Sequence, residues 1–135
     1  MFTREWKVRF SDVDVFGIAH YPRIIDAIHE TADMFMEEIG WPFWVLTEEH
    51  KLGLPIVEVS AEFDRPVRHG DSVTIELTPE VGNSSVRFEY TAKIDDEEVF
   101  TAFEQRVCLP VDEEKSVPLP DGLREALEGY EEEGE

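Results

Sequence analysis

The chain of 135 residues carries 32 acidic against 12 basic side chains, a formal charge of −20, with 41% hydrophobic and 11% aromatic residues. A field of that sign repels nucleic acid and anionic membranes and argues against both as partners, while the apolar content argues against a disordered acidic chain. A single cysteine, Cys108, excludes an internal disulfide and any Cys-based zinc site.

No run approaches the ~20 apolar residues of a membrane span, and the opening MFTREWKVRF lacks the apolar core of a signal peptide. These readings predict a cytoplasmic protein with one domain over residues 1–135. The acidic skin matches adaptation to a very salty cytoplasm, that is a halophile, where counter-ions screen the self-repulsion.

In chain order, Arg4–Phe10 alternates with Trp6, Val8 and Phe10 on one side and predicts a strand. Residues 11–20 form a loop holding Asp12, Asp14 and Gly17. From Tyr21 the period changes: Ile25, Ile28, Ala32, Phe35, Met36 and Ile39 recur at three- and four-residue steps opposite an acidic face. Pro22 suits a first helical turn and Gly40 a stop, which predicts a helix of about 18 residues, ~27 Å long.

A loop is expected at 41–53, then four strands at Leu54–Phe63, Ser72–Thr78, Ser85–Asp95 and Val99–Leu109, with a turn at Pro79–Ser84. Leu119–Tyr130 predicts a short surface helix, and the acidic tail 131–135 is expected to fray. Short polar connections imply antiparallel hairpins, and the one long amphipathic helix is the only cover for the sheet's apolar face. The expected class is α+β: a hot-dog fold, an antiparallel sheet wrapped around one long central helix. The free sheet edges it leaves predict a homodimer or homotetramer.

Asp-x-Asp-x-x-Gly-Ile-x-x-Tyr-Pro at 12–22, ahead of a long helix ending in Gly40, resembles the 4-hydroxybenzoyl-CoA thioesterase family. Phe63–Asp71 (FDRPVRHGD), Ser84–Phe88 (SSVRF) and Val117–Pro120 (VPLP) extend the resemblance over most of residues 5–125. It implies an acyl-CoA thioesterase with Asp14 as catalytic carboxylate, acting as nucleophile or as general base, and the Tyr21 backbone N–H as the donor to the thioester oxygen. Free N–H groups at a helix N-terminus are a ready site for developing negative charge, which supports that assignment physically. Gly17, followed by Ile18, is expected to let the backbone approach the substrate without an intruding side chain. Asp12 is expected to hold the loop.

Tyr21, Ile25 and His29 form one stripe at i, i+4 and i+8, and a histidine there is a candidate lining for the acyl pocket. Arg65, Arg68 and Arg87 stand out against the acidic background as candidates for the coenzyme A phosphates. No metal site is predicted and no cofactor is required, coenzyme A being part of the substrate. Two other functions compete: a hot-dog dehydratase or hydratase of 3-hydroxyacyl thioesters, and a non-catalytic acyl-thioester binding module. The first needs a histidine with an acidic partner, and no such pair is evident in the predicted site.

Overall fold

A computed structural model describes residues 1–131. Its elements run β1 (Phe2–Lys7), α1 (Tyr21–Glu38), α2 (Phe43–His50), β2 (Leu52–Gly53), β3 (Ile56–Phe63), β4 (Ser72–Val81), β5 (Ser85–Ile94), β6 (Glu97–Val107), β7 (Leu109–Pro110) and α3 (Asp121–Glu128). Five strands form one antiparallel sheet in the order β1-β4-β5-β6-β3, and β2 pairs with β7 apart from it. The α+β hot-dog arrangement is therefore present, with α1 laid across one face of the sheet.

Helix α1 has the predicted bounds. Gly40, at φ +84°, ends it: Gly40 N–H donates to the Glu37 carbonyl at 3.1 Å and Trp41 N–H to the Met36 carbonyl at 2.8 Å. That is a left-handed C-terminal cap only a glycine adopts without strain. Ile24, Ala27, Ile28, Thr31, Ala32, Phe35 and Met36 are buried. The stripe is thus rotated slightly from the predicted one: Ile24 enters the core and Ile25 sits at its margin. Opposite lie Val73, Ile75, Leu77, Val86, Phe88, Tyr90, Phe100 and Ala102, the alternate residues of β4, β5 and β6. Truncating a ring such as Phe35, fully buried, is expected to cost about 3–5 kcal/mol.

Four local expectations change. The first strand ends at Lys7, and Phe10 sits 80% exposed on a 3₁₀ turn, because Val8 already bonds to the chain at Gly70 and Asp71. The predicted loop at 41–53 contains α2, whose single buried residue, Leu46, gives almost no periodic signal. Strand β4 continues through Pro79 to Val81. The helix near the C-terminus is no surface element: Leu123 and Leu127 are fully buried, and Arg124 donates to the carbonyls of Gly82 and Asn83. Of the tail expected to fray, Glu131 accepts from Val81 N–H at 2.8 Å, and the remaining four residues lie outside the described ones.

Candidate active site

The loop between β1 and α1 uses its two aspartates differently. Asp12 is buried; its Oδ2 accepts Arg9 N–H at 2.9 Å and its backbone carbonyl accepts His20 N–H at 2.7 Å. Arg23 reaches to 3.9 Å of Oδ1. Asp12 therefore joins the two ends of the loop, the holding role expected for it. Asp14 is exposed, and its Oδ1 accepts the N–H groups of Phe16 (2.8 Å) and Ile18 (3.3 Å). That is turn chemistry, but it occupies one oxygen only; Oδ2 has no partner among the described residues.

Gly17 follows at φ +76°. A Cβ built there meets nothing within 4 Å. Within the protein the glycine is required by its left-handed backbone, and the space beside it is open. The loop is anchored to the segment after β3 by Ala19 N–H to the Val67 carbonyl (2.7 Å), His69 N–H to the Gly17 carbonyl (3.3 Å) and a bridge from Ile18 to Arg68.

At the start of α1 almost every donor is spent. His20 N–H goes to Asp12, Arg23 and Ile24 N–H both return to the His20 carbonyl (2.8 and 3.4 Å), and Pro22 has none. Tyr21 N–H is left, without a partner among the described residues. A lone free N–H at the positive end of a helix dipole is a place to stabilise an oxyanion. Beside it opens a crevice of about 380 Å³, lined mainly by apolar groups from Ile18, Tyr21, Ile24, Phe63, Pro66 and Val67. Here the sequence-predicted Tyr21 and Ile18 meet, with Arg65 at the margin.

Beyond the crevice, Ile25 and His29 on α1 and Val59, Ala61 and Phe63 on β3 stay at least partly exposed. On β6, Phe100, Ala102 and Glu104 face inward, opposite Phe63, Ala61 and Val59 of β3. Along the helix Tyr21, Ile25 and His29 span ~12 Å at 1.5 Å per residue; along the strand Phe63 to Val59 spans ~13 Å at ~3.3 Å per residue. Tyr21 and Phe63 share the crevice, and His29 approaches Glu104, the partner of Val59 across the β3–β6 pair.

At the His29 end lies a knot of polar groups that sequence reasoning missed. Glu104 and Arg106 are 1% and 3% exposed. Glu104 Oε1 accepts from Tyr90 Oη (2.8 Å), Arg106 Nη2 (3.0 Å) and Arg106 Nε (3.3 Å). Arg106 Nη1 donates to the Leu54 carbonyl at 2.9 Å, and its guanidinium stacks near Phe43 and Phe88. Burial, then the Glu104 charge and hydrogen bond, push the Tyr90 hydroxyl well above its ordinary pKa, so it stays a donor. An apolar replacement for such a buried pair is often more stable by about 1–4 kcal/mol, so stability alone is a poor reason for it. The alternation of β6, with charged residues on its inward positions, was the available signal.

His29, half-exposed, has Nδ1 3.3 Å from Arg106 Nη2 and 3.7 Å from Glu104 Oε2. The expectation that no histidine meets a carboxylate in the site is thereby corrected. Arg65 pairs with Glu97 at 3.0 Å, and Arg68, exposed, lies against Ile18 at the loop. Arg87 does not join them: it projects from the opposite face of the sheet and stacks on Phe103 at 3.7 Å. Among the described residues no cluster of His, Cys, Asp or Glu is arranged to hold a metal, and no helix is long and apolar enough to cross a membrane.

The profile of the thioesterase-like superfamily matches residues 8–127. The chain belongs to that superfamily, and is on that membership an enzyme that cleaves thioesters. It is similar to a 1,4-dihydroxy-2-naphthoyl-CoA hydrolase of Nostoc punctiforme (27% identical, covering 94% of this chain and 86% of that one) and to one of Synechococcus sp. strain WH7803 (26%, covering 90% and 85%). Among solved structures it resembles the BH1999 gentisyl-coenzyme A thioesterase (28% identical, TM-score 0.83, covering 93% and 99%). A thioesterase-superfamily protein of Jannaschia sp. CCS1 (24%, TM-score 0.89, covering 98% and 94%) shares the fold.

Proposed function

We propose that the protein is an acyl-CoA thioesterase of the 4-hydroxybenzoyl-CoA thioesterase type, working as a homodimer or homotetramer in the cytoplasm, with no cofactor. One observation carries the reading: a single free helix N–H, that of Tyr21, opens onto an apolar crevice beside a loop that leaves one oxygen of Asp14 unoccupied. The thioester carbonyl accepts from Tyr21 N–H, and its oxygen gains charge as the carbon is attacked. Asp14 either attacks directly, giving a mixed anhydride that water then hydrolyses, or takes a proton from the attacking water. In both routes the C–S bond breaks, the free acid forms, and the coenzyme A thiolate leaves to collect a proton. The oxyanion donor is worth about 10²–10³ in rate by comparison with other enzymes.

The names of the relatives favour an aromatic acyl group, and the apolar crevice beside Tyr21 is the place for it. Arg68 at the loop is the candidate for the coenzyme A phosphates, with Arg65 second because Glu97 already engages it. The unpaired edge of β3 is the surface on which a second copy would add its own β3. A free-thiol assay across short, long and aromatic acyl-CoAs tests the activity: release is expected to be fastest with aromatic ones. Loss of enoyl absorbance without thiol release would establish the dehydratase instead, and ligand-raised melting without turnover the binding module.

A further inference from the structure

We propose that the cavity between the free edge of β1 and the first half of α1 is a second binding site, for a phosphate monoester whose body carries hydroxyl or amino donors. It shares no lining residue with the crevice beside Tyr21 and stands independently of the thioesterase reading.

The backbone assembles this cavity from three segments. On α1, Arg23, Asp26, Ala27 and Glu30 recur at i, i+3, i+4 and i+7, so one stripe of the helix faces β1. Arg4 and Trp6 of β1 point under that stripe, and Arg9, Ser11 and Asp12 of the following loop close one end. The space they enclose is about 410 Å³, in the range that takes a small metabolite.

Charge singles the cavity out. The chain has 12 basic and 32 acidic residues. Four of the basic ones, Arg4, Lys7, Arg9 and Arg23, line this one cavity beside four acidic ones. A third of the cations thus meets an eighth of the carboxylates. Two of those carboxylates are turned to other donors: Glu5 accepts from the Thr74 hydroxyl, and Asp12 Oδ2 from Arg9 N–H. Arg23 stops 3.9 Å from Asp12 Oδ1. Lys7 and the Arg9 guanidinium have no ion pair among the described residues.

Arg4 is the anchor. Its side chain is 13% exposed, yet both its bonds leave from Nη1, at 3.4 Å, to the Ala27 carbonyl and Glu30. Nε is buried without a partner, and Nη2 has none among the described residues. A buried guanidinium so poorly satisfied carries a desolvation cost that an incoming acceptor lowers. Four cations around one cavity suit a phosphate, with three acceptor oxygens and close to two charges, better than a carboxylate with two and one. Asp26, Glu30 and Ser11 remain to accept from the hydroxyl or amino hydrogens of its body.

The test is a titration of the intact ¹⁵N-labelled protein with glucose 6-phosphate, with inorganic phosphate, and with glucose as the uncharged control. About 0.15 M salt, where the Debye length is ~8 Å, keeps the chain's own field short. Saturable shifts of the Trp6 indole N–H and the Arg4 Nε–H are expected with glucose 6-phosphate. Inorganic phosphate is expected to move the same signals with weaker affinity, and glucose to move neither. Read at Trp6, Arg4→Gln is expected to weaken binding about tenfold or more, the scale of a hydrogen bond to a charged group. Glu30→Gln, which frees Nη1, is expected to tighten it. Absence of shifts in the wild type overturns the proposal, and that measurement needs no variant to fold. Shifts confined to Arg65, Arg68 and the crevice overturn it too, as do equal shifts from glucose or an affinity unchanged in Arg4→Gln.

Discussion

The two edges of the sheet begin alike and end differently. Both β1 and β3 are paired on one side only. On the β1 edge, Trp6 is buried under α1, Arg4 reaches over to the Ala27 carbonyl and Glu30 at 3.4 Å, and Phe2 and Tyr130 stack around Phe35. On the β3 edge, the inward residues Ile56, Val59 and Phe63 remain 38%, 43% and 47% exposed. Burying such side chains fully is worth about 1.5–3 kcal/mol each, so an edge left bare has forgone stability that its counterpart uses. The bare edge is also where the free Tyr21 N–H, the crevice and the polar knot lie. In this molecule, incomplete burial and chemistry share one side of the helix.

The sharpest way to break the comparison is through the two aspartates, because Asp12 serves the closed side and Asp14 the open one. Asp14→Asn keeps shape and removes the basic, nucleophilic oxygen; thiol release is expected to fall by ~10²-fold or more, with melting nearly unchanged. Asp12→Asn is expected to lower the melting temperature, losing a charge-assisted bond to Arg9 N–H worth about 1.5–3 kcal/mol, while kcat falls far less. Steady-state kinetics and thermal melts on the pair decide it. The reverse pattern would assign the chemistry to Asp12.

A smaller effect tests assembly on the bare edge. If a second copy were to pair its β3 with this one about Ser60, the middle of the strand's exposed run, Glu58 of each copy would lie opposite Glu62 of the other. Like charges so placed cost about 0.2–1 kcal/mol per pair on top of the repulsion between chains of −20. Dimerisation measured by sedimentation is therefore expected to strengthen from ~10 mM salt, where the Debye length is ~30 Å, to ~1 M, where it is ~3 Å. Glu58→Gln with Glu62→Gln is expected to flatten that dependence, and Val59→Lys to leave monomers. A salt-independent monomer would remove both this assembly and the halophilic reading of the acidic skin.

Much of this was legible in the sequence, for physical reasons that differ by region. Helix α1 declares both ends, Pro22 and Gly40, and its period is carried by large apolar residues. The 12–22 segment is legible as a loop holding two aspartates and a glycine ahead of the helix, whereas the left-handed backbone of Gly17 and the bonds from Phe16 and Ile18 N–H to Asp14 appear only in the structure. Helix α2 was invisible, since a helix with one buried residue carries no period. Glu104 and Arg106 were not singled out, because burial of a charge is decided by partners distant in sequence, here Tyr90, Leu54 and His29. For Arg87, scarcity of cations singled it out, and strand parity sends it to the outer face of the sheet, apart from Arg65 and Arg68.

The smallest predicted effect probes the knot beneath the open side through pH. Tyr90 has its hydroxyl pKa raised well above 10.0, by burial first and then by the charge and hydrogen bond of Glu104. Between 10.0 and that raised value the folded protein keeps a proton that the unfolded chain has released. Stability from this group is therefore full below pH 10 and falls as pH rises through the folded value, by at most about 1.4 kcal/mol per pH unit. Cys108, raised from 9.0 by burial, acts with the same sign from a lower starting point. In urea titrations between pH 8 and 11.5, Tyr90→Phe is expected to be less stable at pH 8 by about 1 kcal/mol, the net worth of its hydrogen bond. It is then expected to lose stability more gently than the wild type above pH 10, so that the two curves converge. Parallel curves would mean that the Tyr90 hydroxyl reaches solvent, and that the knot is not sealed under His29.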